Sequence, residues 1–164
     1  MGIRSLIQRM HLEWRSDSSS LTAFHYDPLP EPKNYIRLLE LLPSNDGVIS
    51  CRLTQWLVSE APLYCAISYT WGDTLDTTRI HVNGQEVIVR KNCEYALRQA
   101  QGQRGDRYLW VDSICINQTD DDEKGHQVAM MGDIFSRATS GLALARTTAR
   151  ANGCWLSADD MPDF

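Results

Sequence analysis

Apolar and polar positions divide this chain into short strand-like runs separated by turn residues. Tyr35 to Leu41 and Val48 to Leu53 are two such runs, and the PSNDG between them predicts that they pair as a hairpin. A third run, Tyr64 to Tyr69, leads directly into TWGD. Arg79 to Val82 and Glu86 to Val89 flank Asn83 and Gly84, and an Asn-Gly pair between alternating apolar residues is the strongest short hairpin signal a sequence offers. Asn92 can cap a helix running to about Gln101, with Ala96, Leu97 and Ala100 as its apolar stripe, and Gly102 and Gly105 punctuate the turn that follows.

The run the rest is organised around is YLWVDSICINQ, Tyr108 to Gln118. Strand periodicity sends Leu109, Val111 and Ser113 to one face and Trp110, Asp112 and Ile114 to the other. Neither face is polar throughout, which predicts a central strand covered on both sides by helices, as in α/β domains. Asp112 is the anomaly, because a carboxylate in such a strand needs partners. It is either a tied-down structural group or part of a site at the carboxyl end of the strand, where open α/β sheets bind ligands. Beyond it, NQTDDDEKGHQVAMMGDIFSRA predicts one helix. Asp120 is its cap, Glu123 stands three residues later as in a capping box, and Val128, Met131, Ile134 and Phe135 form its buried face. Gly125 and Gly132 each cost that helix about 1 kcal/mol relative to Ala.

Residues 1–34 are expected to be a flexible N-terminal segment and lead-in. Leu6, Ile7, Met10 and Trp14 give a marginal amphipathic helix, SDSSS a linker, and HYDPLPEPKN, with three prolines, an extended approach to the folded domain near Tyr35.

Composition narrows the class. At 164 residues, 43% hydrophobic and 23% charged, the chain is expected to be one soluble domain able to bury a full core. A formal charge of −5 with no basic face argues against nucleic acid as a partner. The five cysteines are odd in number, widely spaced and set in apolar surroundings, as in reduced intracellular proteins. With no C-x-x-C and no H-E-x-x-H, no metal is expected. With no long apolar span and no apolar signal core, the expectation is a cytoplasmic protein without a membrane span.

AISYTWGD (Ala66 to Asp73), YLWVDSICINQ and DDEKGHQVAMMGDIFSRA (Asp121 to Ala138), in this order and with Trp71 and Trp110 in register, resemble the three blocks of the fungal heterokaryon incompatibility (HET) domain. IRLLELLP (Ile36 to Pro43) resembles that family's lead-in. The resemblance covers residues 35–138. It implies an α/β fold with a central sheet like that of Toll/interleukin-1 receptor (TIR) domains, flanking helices and a β-hairpin. It also implies an effector of self/non-self recognition and programmed cell death. Such a protein would act by self-association or by binding a protein partner, a sensor or the product of an incompatible allele. Residues 139–164 depart from the family pattern and are read as an atypical tail from a truncated or altered gene, leaving the sheet incomplete at its C-terminus. On that reading an inactive truncated fragment is a further alternative.

Some proteins of that wider TIR-like group cleave NAD with a glutamate, so the resemblance makes NAD a candidate substrate and Glu123 the candidate catalytic residue. A carboxylate there would stabilise the oxocarbenium ion that develops on the ribose, while the plainer reading is a solvated first-turn cap. Trp71, Gly72 and Asp73 form either a ligand-facing loop or a turn in which Trp71 packs on the core. Asp112, Asn117 and Gln118 would shape the same pocket, or else the two amides hold the loop. Cys115 is expected to be a buried inert thiol, and His126 a surface partner of Asp122. No phosphate-cradling glycine loop is present.

Overall fold

The turn with the clearest sequence signal forms as expected. Asn83 (φ 52°) and Gly84 (φ 77°) both sit in the left-handed region and join β4 (Thr77–Val82) to β5 (Gln85–Arg90), which pair antiparallel from Val82↔Gln85 outward. The computed structural model describes residues 24–44, 46–101, 107–144 and 154–157. The expected N-terminal helix and linker, the turn at Gly102 and Gly105 and most of the C-terminal tail lie outside the described residues.

The other expected hairpin also forms. β1 (Tyr35–Leu42) pairs antiparallel with β2 (Ser50–Leu57) along its whole length. A one-turn 3-10 helix (Val58–Glu60) leads on to β3 (Tyr64–Tyr69), in which every residue is buried. α1 (Lys91–Gln101) follows β5 and buries Cys93, Ala96, Leu97 and Ala100. β6 (Tyr108–Val111) is interior to the sheet, antiparallel to β1 and parallel to β3. The backbone of β7 (Ser140–Leu144) pairs parallel with β3, and β8 (Cys154–Ser157) closes that side antiparallel to β7. The strand order is β5-β4-β2-β1-β6-β3-β7-β8, one mixed sheet with helices, so the chain is an α/β domain. The sequence pattern placed no strand after Ala138.

Strand alternation distributes the core over two faces. On one face the Trp110 ring meets Phe135 edge-on at 5.5 Å, and the Tyr64 hydroxyl donates to the Ile134 carbonyl at 2.6 Å. On the other, Tyr69, one position out of phase with Tyr64, reaches across to Ser113 and so lies beside Cys93 of α1.

Two expectations need correction. The run at 108–118 is not one strand: β6 stops at Val111, and Asp112 opens a single helical turn, α2 (Asp112–Cys115), closed by Ile116 N–H on the Asp112 carbonyl at 3.3 Å. The single helix expected between the Asp120 cap and Ala138 is two, α3 (Asp121–Ala129) and α4 (Met131–Arg137), broken at Met130 (φ −88°, ψ −5°). Each half is anchored to something different. The Gln127 amide of α3 donates to the carbonyls of Pro32 (2.5 Å) and Tyr35 (2.7 Å), whereas α4 packs on Trp110 through Phe135. Glycines at 125 and 132 lower the cost of the break. The start of α3 is as read: the Asp120 carboxylate accepts from Asp122 and Glu123 N–H at 3.1 and 3.0 Å.

Candidate functional site

The candidate residues gather at the carboxyl ends of β3 and β6, where the chain leaves the sheet in two loops. Asp112 is 1% exposed. One of its carboxylate oxygens accepts from the backbone N–H of Ser113 at 2.7 Å, and the other from the indole N–H of Trp71 at 3.1 Å. A buried carboxylate is tolerable only when bonded in this way. Trp71 is itself buried, with the Arg90 guanidinium over its ring at 5.1 Å.

Arg90 also donates to the Gly72 carbonyl at 2.9 Å. Gly72 has φ +81°, and a Cβ there would meet the Asn92 amide nitrogen at 2.5 Å, so glycine is required on both counts. Asn92 does not cap α1, which begins at Lys91; its amide instead donates to the Thr70 carbonyl at 2.9 Å and pins the TWGD loop to the helix. Asp73 is exposed and accepts from Leu75 N–H at 2.9 Å, a local turn apart from this network.

Glu123 is 3% exposed, which excludes the solvated first-turn role. Arg37 of β1 approaches it with two prongs, Nη1 to Oε1 at 2.6 Å and Nη2 to Oε2 at 2.9 Å. Asn117 N–H donates to the same Oε1 at 2.8 Å. The guanidinium completes its bonds on the carbonyls of Cys115 (3.2 Å) and Asp27 (2.8 Å) and lies 4.9 Å from the Tyr26 ring centre. Tyr26 in turn donates to the Ile114 carbonyl at 2.9 Å. The proline-rich lead-in is therefore tied to α2 and α3 at Tyr26 and Asp27, and Leu29 is buried with them.

Trp71, Gly72, Asp112 and Gln118 thus belong to one network, because the Gln118 amide donates to the Asp112 carbonyl at 2.9 Å. Glu123 and Asn117 belong to a second, centred on Arg37. The loop 116–120 connects the two. The Asn117 side chain is spent locally, accepting from Thr119 N–H and hydroxyl at 3.2 and 2.8 Å. Sequence reasoning missed Arg37, Tyr26, Arg90, Tyr69 and Ser113. The available signal was the pair of charges, Arg37 and Glu40, inside the otherwise apolar run IRLLELL. Both are buried; Glu40 is bridged by Arg52 at 3.2 Å and by Arg107.

The thiols and the phenol beside these networks are held neutral by burial. Burial pushes the Cys115 thiol up to about 12 and the Cys93 thiol, 3.5 Å from the Ser113 hydroxyl, up to about 11. Burial also raises the Tyr69 phenol, whose oxygen lies 2.6 Å from Ser113 Oγ. A thiol so raised is a poor nucleophile, as expected of Cys115. His126 is exposed beside Asp122, with Nδ1 3.9 Å from the carboxylate and 2.9 Å from the backbone carbonyl. Among the described residues no group of His, Cys, Asp and Glu could hold a metal ion, and no helix is long and apolar enough to cross a membrane.

Fold and site together define an α/β domain with a mixed sheet whose chemistry-bearing side chains are bonded to one another at the sheet's carboxyl end. The chain belongs to the HET family: the family model described as heterokaryon incompatibility protein (HET) matches residues 64–160, from the start of β3 past β8. The chain is also 38% identical over 133 residues to heterokaryon incompatibility protein 6, OR allele, of Neurospora crassa. That match covers 70% of this chain and 19% of the relative, so the chain spans about a fifth of the length of the curated relative it matches. No solved structure matches.

Proposed function

We propose that this chain is the effector domain of a fungal incompatibility protein, acting in the cytoplasm and triggering cell death by self-association or by binding a protein partner, a sensor or the product of an incompatible allele. One observation carries the non-enzymatic form of this reading. Both oxygens of Glu123 are occupied by Arg37 and the Asn117 N–H, so the carboxylate is engaged within the chain. The family membership supports the biological setting. Expression in fungal hyphae tests it, with death scored for the wild type beside the double variant Arg37→Met/Glu123→Leu, whose folding is checked by circular dichroism. Death with both chains is the expected result; a folded wild type that leaves hyphae viable overturns the reading.

A second reading is NAD cleavage, with Glu123 as the catalytic carboxylate and Trp71, Gly72, Asp73, Asp112, Asn117 and Gln118 around the substrate. It is supported by Gln118 Oε1, a buried acceptor without a hydrogen-bond partner beside Asp112. NAD consumption by the purified wild type at high concentration tests it; intact NAD beside a folded protein overturns it.

A further inference from the structure

Residues 24–32 precede β1 and take no part in the sheet, yet they stand directly on the Arg37–Glu123 pair. Two of their groups touch the guanidinium, the Tyr26 ring at 4.9 Å and the Asp27 carbonyl at 2.8 Å. Three side-chain ties hold the segment down. The Tyr26 hydroxyl donates to the Ile114 carbonyl at 2.9 Å, and the Gln55 amide to the Asp27 and Pro28 carbonyls at 2.9 and 3.1 Å. The Gln127 amide, one turn after Glu123, donates to the Pro32 carbonyl at 2.5 Å.

Each tie joins a side chain to a backbone carbonyl. Among the described residues no backbone group of residues 24–30 bonds to another backbone group. Pro28, Pro30 and Pro32 have no N–H, which keeps the segment extended and out of any ladder. Tyr26 and Leu29 are buried, but neither belongs to the contiguous apolar core; the half-buried Phe24 packs against it. His25, Asp27, Pro28, Pro30 and Glu31 are exposed. A segment with few buried apolar anchors and no backbone ladder opens at a lower free energy than the fold as a whole.

We propose that residues 24–32 form a strap that lifts as a unit while the sheet stays folded, and that its lifting releases Glu123 from the sealed pair. With the strap down, both charges are kept from water. With it up, Arg37 loses the Asp27 carbonyl and the Tyr26 ring, and water reaches the pair. An ion pair exposed to water is held weakly, so Glu123 becomes available to a ligand. For its biological role the strap rests on the second reading above, NAD cleavage, and holds that activity off until it lifts.

Thiol labelling of the full chain at neutral pH tests the strap. Leu29→Cys in the Cys154→Ser chain puts one thiol on it, while Cys51, Cys65, Cys93 and Cys115, all buried, report opening of the whole fold. The introduced thiol is expected to react more than about tenfold faster than those four. Adding Arg37→Met/Glu123→Leu, which removes the guanidinium that holds Tyr26 and Asp27, is expected to speed position 29 alone. Equal rates at all five thiols overturn the strap. An unchanged rate at position 29 with the added changes, or an equal acceleration of all five, overturns its link to the pair. Chymotrypsin on the wild type needs no variant. The bond after Tyr26 is expected to be cut while those after Tyr64 and Tyr69 stay intact, and its survival for as long as theirs overturns the strap. NAD consumption is read beside these measurements. A strap that lifts with NAD intact upholds the strap and overturns the NAD reading, whereas NAD consumption by a chain whose strap stays down overturns the strap alone.

Discussion

Arg37 and Glu123, 86 residues apart in the chain, close a two-pronged ion pair inside the protein, their side chains 2% and 4% exposed. It joins β1 to the first turn of α3. The Asn117 amide and the Cys115 and Asp27 carbonyls complete the shell that makes burial of both charges tolerable.

Removing one partner leaves the other charged and buried. Glu123→Ala and Arg37→Ala are each predicted to destabilise the fold by about 3–5 kcal/mol, read as a lower urea midpoint. Arg37→Met/Glu123→Leu, which removes both charges and keeps the volume, is predicted to regain most of that loss. Loss of any activity in Glu123→Ala alone would therefore not identify a catalytic group. A loss in the double variant equal to the sum of the two single losses would show that the pair contributes little.

Trp71→Phe retains the ring against Arg90 and removes the N–H that Asp112 accepts. A buried acceptor deprived of a donor costs roughly 1–3 kcal/mol, so the urea midpoint is predicted to fall. An unchanged midpoint would mean that the bond at 3.1 Å contributes nothing.

Gly72 and Gly84 have nearly the same φ, +81° and +77°, but only Gly72 faces a neighbour where a Cβ would sit. Alanine at either position carries the left-handed penalty of about 1–2 kcal/mol. Gly72→Ala must also displace Asn92 and its bond to Thr70. Gly72→Ala is predicted to be the more destabilising by thermal melt, and Asn92→Ala in that background to recover part of the difference. Equal melting temperatures would remove the steric argument.

Stability is predicted to fall at alkaline pH. Cys115 and Cys93 ionise near 9 when unfolded and are pushed to about 12 and about 11 when folded. Above the unfolded value the unfolded chain binds fewer protons than the folded one, so stability falls with rising pH. The contribution is complete below about pH 9 and is lost as pH rises toward the folded values. Cys51, Cys65, Cys93 and Cys115 are all buried, so in a Cys154→Ser variant a thiol reagent at neutral pH is predicted to label the chain only after denaturation. Prompt labelling of the folded chain would contradict this.

The local elements were legible because their signals are local. The Asn83-Gly84 turn, the β1–β2 hairpin, the limits of β3 and the Asp120 cap each depend on residues within a few positions of one another. The family was legible for a related reason, since its blocks are contiguous stretches. The break at Met130 was not, because it follows from α3 and α4 being anchored to different parts of the molecule.

The site divides along the same line. The sequence by itself determined which residues could carry chemistry, and that Asp112 would need partners if buried. Only the tertiary structure decided that Trp71 and Ser113 supply them, and that Asp112 opens a helical turn instead of continuing the strand. It also decided that Glu123, a residue with every local feature of an exposed cap, turns inward to meet Arg37. The physical reason is that periodicity and capping act over one or two turns of chain, whereas a buried charge takes whichever opposite charge the packed sheet brings within reach.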